Sequence, residues 1–285
     1  MKKVTEIVLQ DQENLITINS DLSRQKKINR ISLNKCSKCN DTGWILYSKE
    51  VNGRGYQFGR ECECVPTLRL EQRYKNAMIP IEFTECRFDN YERRAGIQNK
   101  MFTNMNQYIK EFNKLDGNCN SFGFIATFGE QQLKELSHTD RSEALSNHNS
   151  YGLGKTHLQA AAATVLMNKG YSVWMVSDTT LMNTLAKAKA LNDNGETFNR
   201  EFSKAIQVDF LIWDDLGKTK YSETKEELYY NIINERYKAK KPIIFSSNED
   251  SNTLRSKIGF AAGSRLLGMS KRFLIECEGD DYRIK

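Results

Sequence analysis

Residues 150–161 read SYGLGKTHLQAA, and their types and spacing suit one kind of chemistry. Glycines let a backbone wrap tightly, so its N–H groups converge on an anion. Lys155 would reach the outer phosphates of a nucleoside triphosphate, and the Thr156 hydroxyl would bind magnesium. The helix that starts at this lysine presents its positive end to the same charge.

The loop is interrupted. The pattern for such a site is G-x-x-x-x-G-K-T, but Asn149 stands five residues before Gly154. The expected glycine occurs earlier, at Gly129, directly after the apolar run GFIATF. Removing residues 130–149 would join Gly129 to Ser150 and restore the motif, with Gly152, Gly154, Lys155 and Thr156 in register. These 20 residues, EQQLKELSHTDRSEALSNHN, are polar and show no strand pattern. They read as an insertion: a translated intervening segment, or one removed before the protein works. The alternative is a tolerated excursion in which Asn149 takes left-handed backbone angles in place of glycine.

Two further segments suit the same chemistry. VDFLIWDDLG is an apolar strand that ends in two acids, as expected of a strand buried on both faces with its carboxyl edge at the phosphate loop. Asp214 would hold Mg²⁺ and Asp215 would orient or activate the attacking water. KPIIFSSN follows one helix later and places Asn248 where it can sense the terminal phosphate.

Four of the seven cysteines form CSKC and CEC, a C-x₂-C and a C-x-C pair separated by 22 residues. Cys36, Cys39, Cys62 and Cys64 suit tetrahedral Zn²⁺, and NDTGW after the first pair supplies a knuckle turn. Four thiolates leave no ligand position for a substrate, so the site is structural. Cys86, Cys119 and Cys277 read as packing residues.

The elements that must position these groups alternate. After a polar start, where EIVLQDQENLITI is equally compatible with helix and strand, the cysteine segment spans residues 31–66. TLRLEQRYKNAM is helical, and IPIEF breaks the pattern. From about residue 97 strands and helices alternate. The strands are SFGFIATFG, YSVWMVS, VDFLIWDD, PIIFSSN and KRFLIEC. The helices include 155–169, stopped by Gly170, then DTTLMNTLAKAKAL, SETKEELYYNIINERYKAK, SNTLRSKI and GSRLLGM. This predicts an α/β chain with a parallel sheet flanked by helices, preceded by a small zinc-binding domain. The expected boundaries are 1–78 for the head and 79–285 for the ATPase domain, with 130–149 interrupting the loop.

Composition excludes several classes. The chain has 285 residues, 39% hydrophobic and 27% charged, which suits one ATPase core plus a small satellite. The net charge of +6 is that of a solvated mixed surface. No apolar run approaches the ~18 residues a membrane span needs, and acids and glutamine interrupt the start, so a cytoplasmic location without membrane contact is expected. Three histidines without H-E-x-x-H, and the absence of G-x-S-x-G, argue against metalloprotease and hydrolase chemistry.

With these motifs placed, the chain resembles the bacterial replicative-helicase loaders of the DnaC/DnaI type, AAA+ ATPases, the phage-encoded versions in particular. The likeness rests on CSKCNDTGW…CECV, IPIEFTECRFDNY, GLGKTHLQAA, IWDDLG, IINERY, PIIFSSN, GSRLLGM and EGDDYRIK, in the family's order. The resemblance implies an ATP-driven switch with slow turnover. It implies a head that binds a hexameric replicative DNA helicase, an ATPase domain that binds single-stranded DNA, and self-association through that domain. It makes Arg265 of GSRL an arginine finger for a neighbouring subunit, and fingers of this kind contribute ~10³–10⁵ in rate in GTPases. Arg283 is a further nucleotide contact on this reading, and Lys218, Lys220 and Tyr221 lie where DNA could be touched. The interrupted loop departs from the family. Two other readings stand beside it: a transposition helper ATPase with the same core, and a zinc-binding adaptor that has lost ATP turnover through the insert.

Overall fold

The computed structural model describes residues 36–51, 54–94, 96–281 and 283. The uncertain helix or strand in EIVLQDQENLITI and the tip of the NGRG turn lie outside the described residues. The chain divides into two compact units between Glu71 and Gln72. The division falls inside helix α1, Val65–Ala77, which ends where Met78 takes a left-handed φ of 53°.

In the first unit, strands β1 (Trp44–Val51) and β2 (Arg54–Glu61) form an antiparallel hairpin with Trp44 opposite Glu61 and Val51 opposite Arg54. The cysteines sit at its base. Cys39 and the 40–43 turn lead into β1, and Cys62 follows β2 and donates its N–H to the Gly43 carbonyl at 2.8 Å. Asn40, Asp41 and Gly43 all have positive φ, the conformation a tight knuckle needs.

The second unit holds five parallel strands: β3 (Phe122–Ala126), β4 (Val173–Ser177), β5 (Phe210–Asp214), β6 (Ile243–Ser246) and β7 (Leu274–Cys277). Their spatial order is β4-β5-β6-β3-β7. Every residue of β3 and β6 is buried, as expected of central strands covered on both faces. The flanking helices are α2 (Gly96–Glu111), α5 (Lys155–Asn168), α6 (Asp178–Lys189), α7 (Glu196–Gln207), α8 (Glu223–Lys238), α9 (Ser251–Ile258) and α10 (Phe260–Ser270). The alanine run 160–163 of α5 is buried, so this helix lies close on the sheet. Ile125, Trp174, Leu211, Trp213, Ile232 and Phe245 form the centre of one core cluster.

Two helical regions depart from the sequence reading. Helix α7 is not among the expected helices, although Phe198, Phe202 and Ala205 recur at helical spacing and pack on the core. The insert, which has no strand pattern, folds as two short helices, α3 (Glu130–Glu135) and α4 (His138–Asn147).

A buried arginine ties the layers together. Arg236 of α8 is fully buried, and its guanidinium donates to four carbonyls: Ala205 at 2.8 Å, Val208 at 3.0 Å, Asp209 at 3.0 Å and Pro242 at 2.7 Å. It thereby joins the end of α7 to the entries of β5 and β6. Burial lowers its pKa to about 9. Replacing it with leucine strands these acceptors, at ~1–3 kcal/mol for each one left unserved. Arg236→Leu is therefore expected to cost at least ~3 kcal/mol in urea denaturation followed by circular dichroism. A loss below ~1 kcal/mol would show that water serves these carbonyls instead.

Candidate functional site

The carboxyl ends of β3, β5 and β6 open into a cleft of about 410 Å³ lined by Ser150–His157, Asp215, Lys218, Asn248 and Arg283, with Phe83 and Asn90–Glu92 on one side. Cavities of this size hold a nucleotide. The sheet order explains its position, because β3 and β4 are separated in space by β5 and β6, and such a switch point leaves a crevice beyond the strand ends.

The phosphate loop takes the shape its glycines permit. Gly152 and Gly154 have φ of 65° and 87°, and Gly154 caps α5. A side chain at Gly154 would strike the Tyr91 ring at 2.7 Å. Tyr91 donates its hydroxyl to the Leu153 carbonyl at 3.0 Å and meets His157 edge-on. His157 Nε2 lies 2.9 Å from the Arg87 carbonyl and 3.0 Å from Asn90 Oδ1. The 87–91 segment thus props the loop from outside.

Lys155 is only 7% exposed. Its ammonium donates to Asn248 Oδ1 at 2.6 Å and to the Ser247 carbonyl at 3.2 Å. Burial lowers its pKa, against the pull of Cys277, Asp215 and Asp214. Cys277 is buried beside it, and desolvation raises the thiol to about 12.

Thr156 donates its hydroxyl to Asp214 at 3.1 and 3.3 Å, so the two groups expected to share a divalent cation are in contact. Burial raises the Asp214 pKa, and hydrogen bonds from Ser246 and Thr156 oppose this. Gln159 is fully buried, and with its amide nitrogen toward Asp214 it donates at 2.8 Å while its oxygen accepts the Ser246 N–H at 3.1 Å. The sequence did not single out Gln159, although its place one turn after Thr156 on the same helix face is a usable signal.

Asp215 lines the cleft in a left-handed conformation, φ 54°, and pairs with Lys218 at 2.7 Å. Lys218 is thus engaged at the acid pair, and Tyr221 donates to Glu226 at 2.6 Å. The loop beyond is anchored by Asp178, fully buried at the start of α6. This carboxylate accepts from Trp213 Nε1 at 3.1 Å, Thr219 N–H at 2.9 Å, Thr219 Oγ1 at 2.7 Å and the Tyr229 hydroxyl at 2.7 Å. Burial raises its pKa, and these donors act in the opposite direction.

The insert is stitched to the strands on either side of β3. Glu130 N–H donates to the Asn248 carbonyl at 2.9 Å, and Gly279 N–H donates to the Asn149 carbonyl at 2.9 Å. Gly129 does not line the cleft. It precedes α3, packed so closely on Asp250 and Glu249 that a side chain there would clash at 2.4 Å. Asn149 is not among the residues with positive φ, so it does not imitate glycine. Its side chain acts instead, donating to the Gly279 carbonyl at 2.7 Å and the Tyr151 carbonyl at 2.9 Å and accepting the Tyr151 N–H at 3.1 Å. Leu133 is buried, and His148 Nδ1 lies 2.9 Å from Glu278.

Arg265 lies on α10 outside the cleft lining, its guanidinium 5.0 Å over the Tyr230 ring. The sulfurs of Cys36, Cys39, Cys62 and Cys64 all fall within 4.8 Å of one another, with Cys36 to Cys62 at 3.7 Å and Cys39 to Cys64 at 3.5 Å. A tetrahedral zinc with ~2.3 Å bonds spaces its sulfurs by ~3.8 Å, so the set fits that ion.

A parallel sheet in this order with a phosphate loop, a paired acid strand and a polar strand-end residue defines a P-loop nucleotide-binding protein of the AAA+ type. The chain belongs to the IstB-like ATP binding protein family, whose pattern matches residues 116–285. It is 23% identical over 261 residues to the phage-like element PBSX protein XkdC of Bacillus subtilis, covering 87% of this chain and 84% of that one. It is 22% identical over 192 residues to the replicative helicase loader DnaC of Escherichia coli, covering 67% of each. The ATP-binding protein of insertion sequence IS21 from Pseudomonas aeruginosa is 29% identical over 160 residues, covering 54% of this chain and 58% of that one. The fold matches the crystal structure of the DnaC helicase loader with a TM-score of 0.53 at 18% identity, over 70% of this chain and 99% of that one. No helix among the described residues is long and apolar enough to cross a membrane.

The Asn149 clamp gives a direct test of the interrupted loop. Asn149→Ala removes three hydrogen bonds that hold the loop entrance, and is expected to weaken Mg²⁺-ATP binding by ~10-fold, a loss of ~1.4 kcal/mol. Isothermal titration calorimetry on the full chain measures this. Unchanged affinity would show that the loop keeps its shape without the clamp.

Proposed function

We propose that this protein is an ATP-dependent loader that places a hexameric replicative DNA helicase on single-stranded DNA, hydrolysing ATP slowly as a switch. The observation that carries the reading is the pairing of a four-cysteine hairpin unit with an AAA+ nucleotide site in one chain. DnaC, a relative over two thirds of the chain, is a replicative helicase loader by name. The family also includes insertion-sequence ATP-binding proteins, so a transposition helper is the second reading, favoured by the IS21 relative.

In the loader reading, phosphates displace Asn248 from Lys155, and the freed Asn248 senses the terminal phosphate. Thr156 and Asp214 hold magnesium, which supplies charge neutralisation at the phosphate oxygens. Asp215 orients the attacking water, kept ready by Lys218. Arg265, outside its own cleft, serves a neighbouring subunit's nucleotide, which makes self-association part of the mechanism. Gly152 and Gly154 shape the cradle, and the segment 130–149 stays in the working protein as a built part of the loop. Cys36, Cys39, Cys62 and Cys64 hold a structural zinc, and the head they support takes the helicase.

Capture from a cell extract on the immobilised full chain separates the readings. Recovery of a replicative helicase supports the loader, and recovery of a transposase supports the helper. Lys155→Ala is expected to abolish saturable Mg²⁺-ATP binding. A full chain that binds no ATP before this change would instead be an adaptor that has lost turnover.

The zinc assignment predicts separate losses. Zinc contributes ~10–16 kcal/mol to small folds of this kind. Cys39→Ser should therefore unfold the head, seen as loss of bound zinc and of protease resistance before residue 72, while ATP affinity changes less than twofold. Full zinc retention would refute the ligand set.

A further inference from the structure

The register of the hairpin sorts its side chains by charge. Tyr47 opposes Phe58, Lys49 opposes Tyr56, and Arg60 and Arg54 occupy positions in the same alternation. These residues share one face, as the Tyr47–Phe58 stack confirms, with ring centroids 5.8 Å apart and planes at 24°. The other face carries Trp44 and Leu46, whose side chains a Cβ added at Gly59 would meet at 3.5 Å, and the acids Glu50 and Glu61. Glu61 is paired there with Arg69 of α1 at 2.5 Å. Among the described residues of the two strands, one face thus holds three cations and three rings with no carboxylate, and the acids lie opposite.

The aromatic strip is exposed: Tyr47 by 47%, Tyr56 by 48% and Phe58 by 39%. Isolated exposed rings are ordinary, but three interleaved with cations on one flat ribbon are not. Glu63, just beyond β2, is paired with Lys38. Successive positions on one face of a strand recur every ~6.8 Å, so on β2 the rings of Tyr56 and Phe58 follow one another with Arg54 and Arg60 at the two ends.

We propose that this face of the hairpin is a binding surface for single-stranded nucleic acid, independent of the nucleotide cleft. Rings offer stacking platforms to unpaired bases, and Lys49, Arg54 and Arg60 meet the phosphates. The one amide side chain of the hairpin strands, Gln57, lies on the opposite face, so stacking and phosphate contacts dominate on the strip. Binding is therefore indifferent to sequence and sensitive to salt. An acidic protein surface would satisfy the cations but would leave the row of rings without flat partners.

The test uses the full chain and a fluorescein-labelled oligothymidylate, read by anisotropy over a salt series. The combined variant Lys49→Glu, Arg54→Glu and Arg60→Glu should weaken binding more than ~10-fold and reduce the slope of log affinity against log salt by ~2, at ~0.7 for each phosphate no longer neutralised. Its zinc content should be unchanged. In the unaltered chain, a bromodeoxyuridine-substituted strand should photocrosslink to Tyr47, Tyr56 or Phe58, which gives a readout that needs no variant to fold. Crosslinks confined to residues beyond Gln72 would overturn the proposal and assign DNA binding to the ATPase unit. Unchanged oligonucleotide affinity with lost capture of an acidic protein would overturn it in favour of a protein dock. Both results leave the loader reading to be judged by helicase capture alone.

Discussion

A lysine ammonium held out of water at the start of a helix is the constraint around which the ATPase unit is arranged. A cation at a helix N-terminus opposes the helix dipole, and burial removes its hydration. Lys155 carries both penalties while it rests on Asn248 and the Ser247 carbonyl. Asp214 and Asp215 offset part of the charge, and Arg283 adds to it. An anion in the cleft would remove both penalties at once, because the same loop amides and the same helix end accept it. The cleft is therefore an anion site whose polarity is already set.

The sheet order places the partners of that lysine. Because β6 lies between β3 and β5, Asn248, two residues beyond its end, stands beside both the phosphate loop and the acid strand. The same order explains why the loop tolerates an excursion of this length. Residues 130–149 leave the end of β3 beside β6 and return beside β7, the two strands that flank it. The excursion closes over neighbours already held in place, and the entropy of closing a loop grows only slowly with its length. A segment placed at a central strand end can thus be long without moving the glycines that follow it.

Much of this is legible in the amino-acid order, for identifiable reasons. Strands buried on both faces are continuous apolar runs, and VDFLIWDD, PIIFSSN and GFIATF could hardly be anything else. The phosphate loop is legible because its chemistry needs particular residues in immediate succession. Groups whose partners are distant in the chain are not. Arg236 looks like a helix-surface arginine, and only the meeting of four carbonyls from the end of α7 and the entries of β5 and β6 makes it an interior residue. Asp178 looks like a helix cap, and its partners come from β5, the following loop and α8. Asn149 suggests a backbone role by its residue type, whereas its amide makes the contacts. Gly129 fits a motif by spacing, but adjacency across an insert does not put a residue in the cleft. Helix α7 is hidden because its polar surroundings mask three apolar positions.

These distant contacts have a use at the second acid. Asp215 holds a left-handed conformation that costs a non-glycine residue ~1–2 kcal/mol. The following turn must keep that strain from relaxing. Asp215 N–H is held by Ser246 Oγ at 3.1 Å, Leu216 N–H by the Ser246 carbonyl at 2.7 Å, and the Leu216 carbonyl by Ser247 Oγ at 2.7 Å. Gly217 adds a φ of 84°, and Thr219 is then locked by Asp178 through two hydrogen bonds. The turn is fixed at one end by the strand beside the lysine and at the other by a buried carboxylate at the start of α6. An acid that must face the cleft while its neighbour Asp214 takes the threonine hydroxyl cannot continue as a regular strand, because alternation would turn it to the opposite face. The left-handed residue breaks that alternation, and the paired anchors hold the break in place.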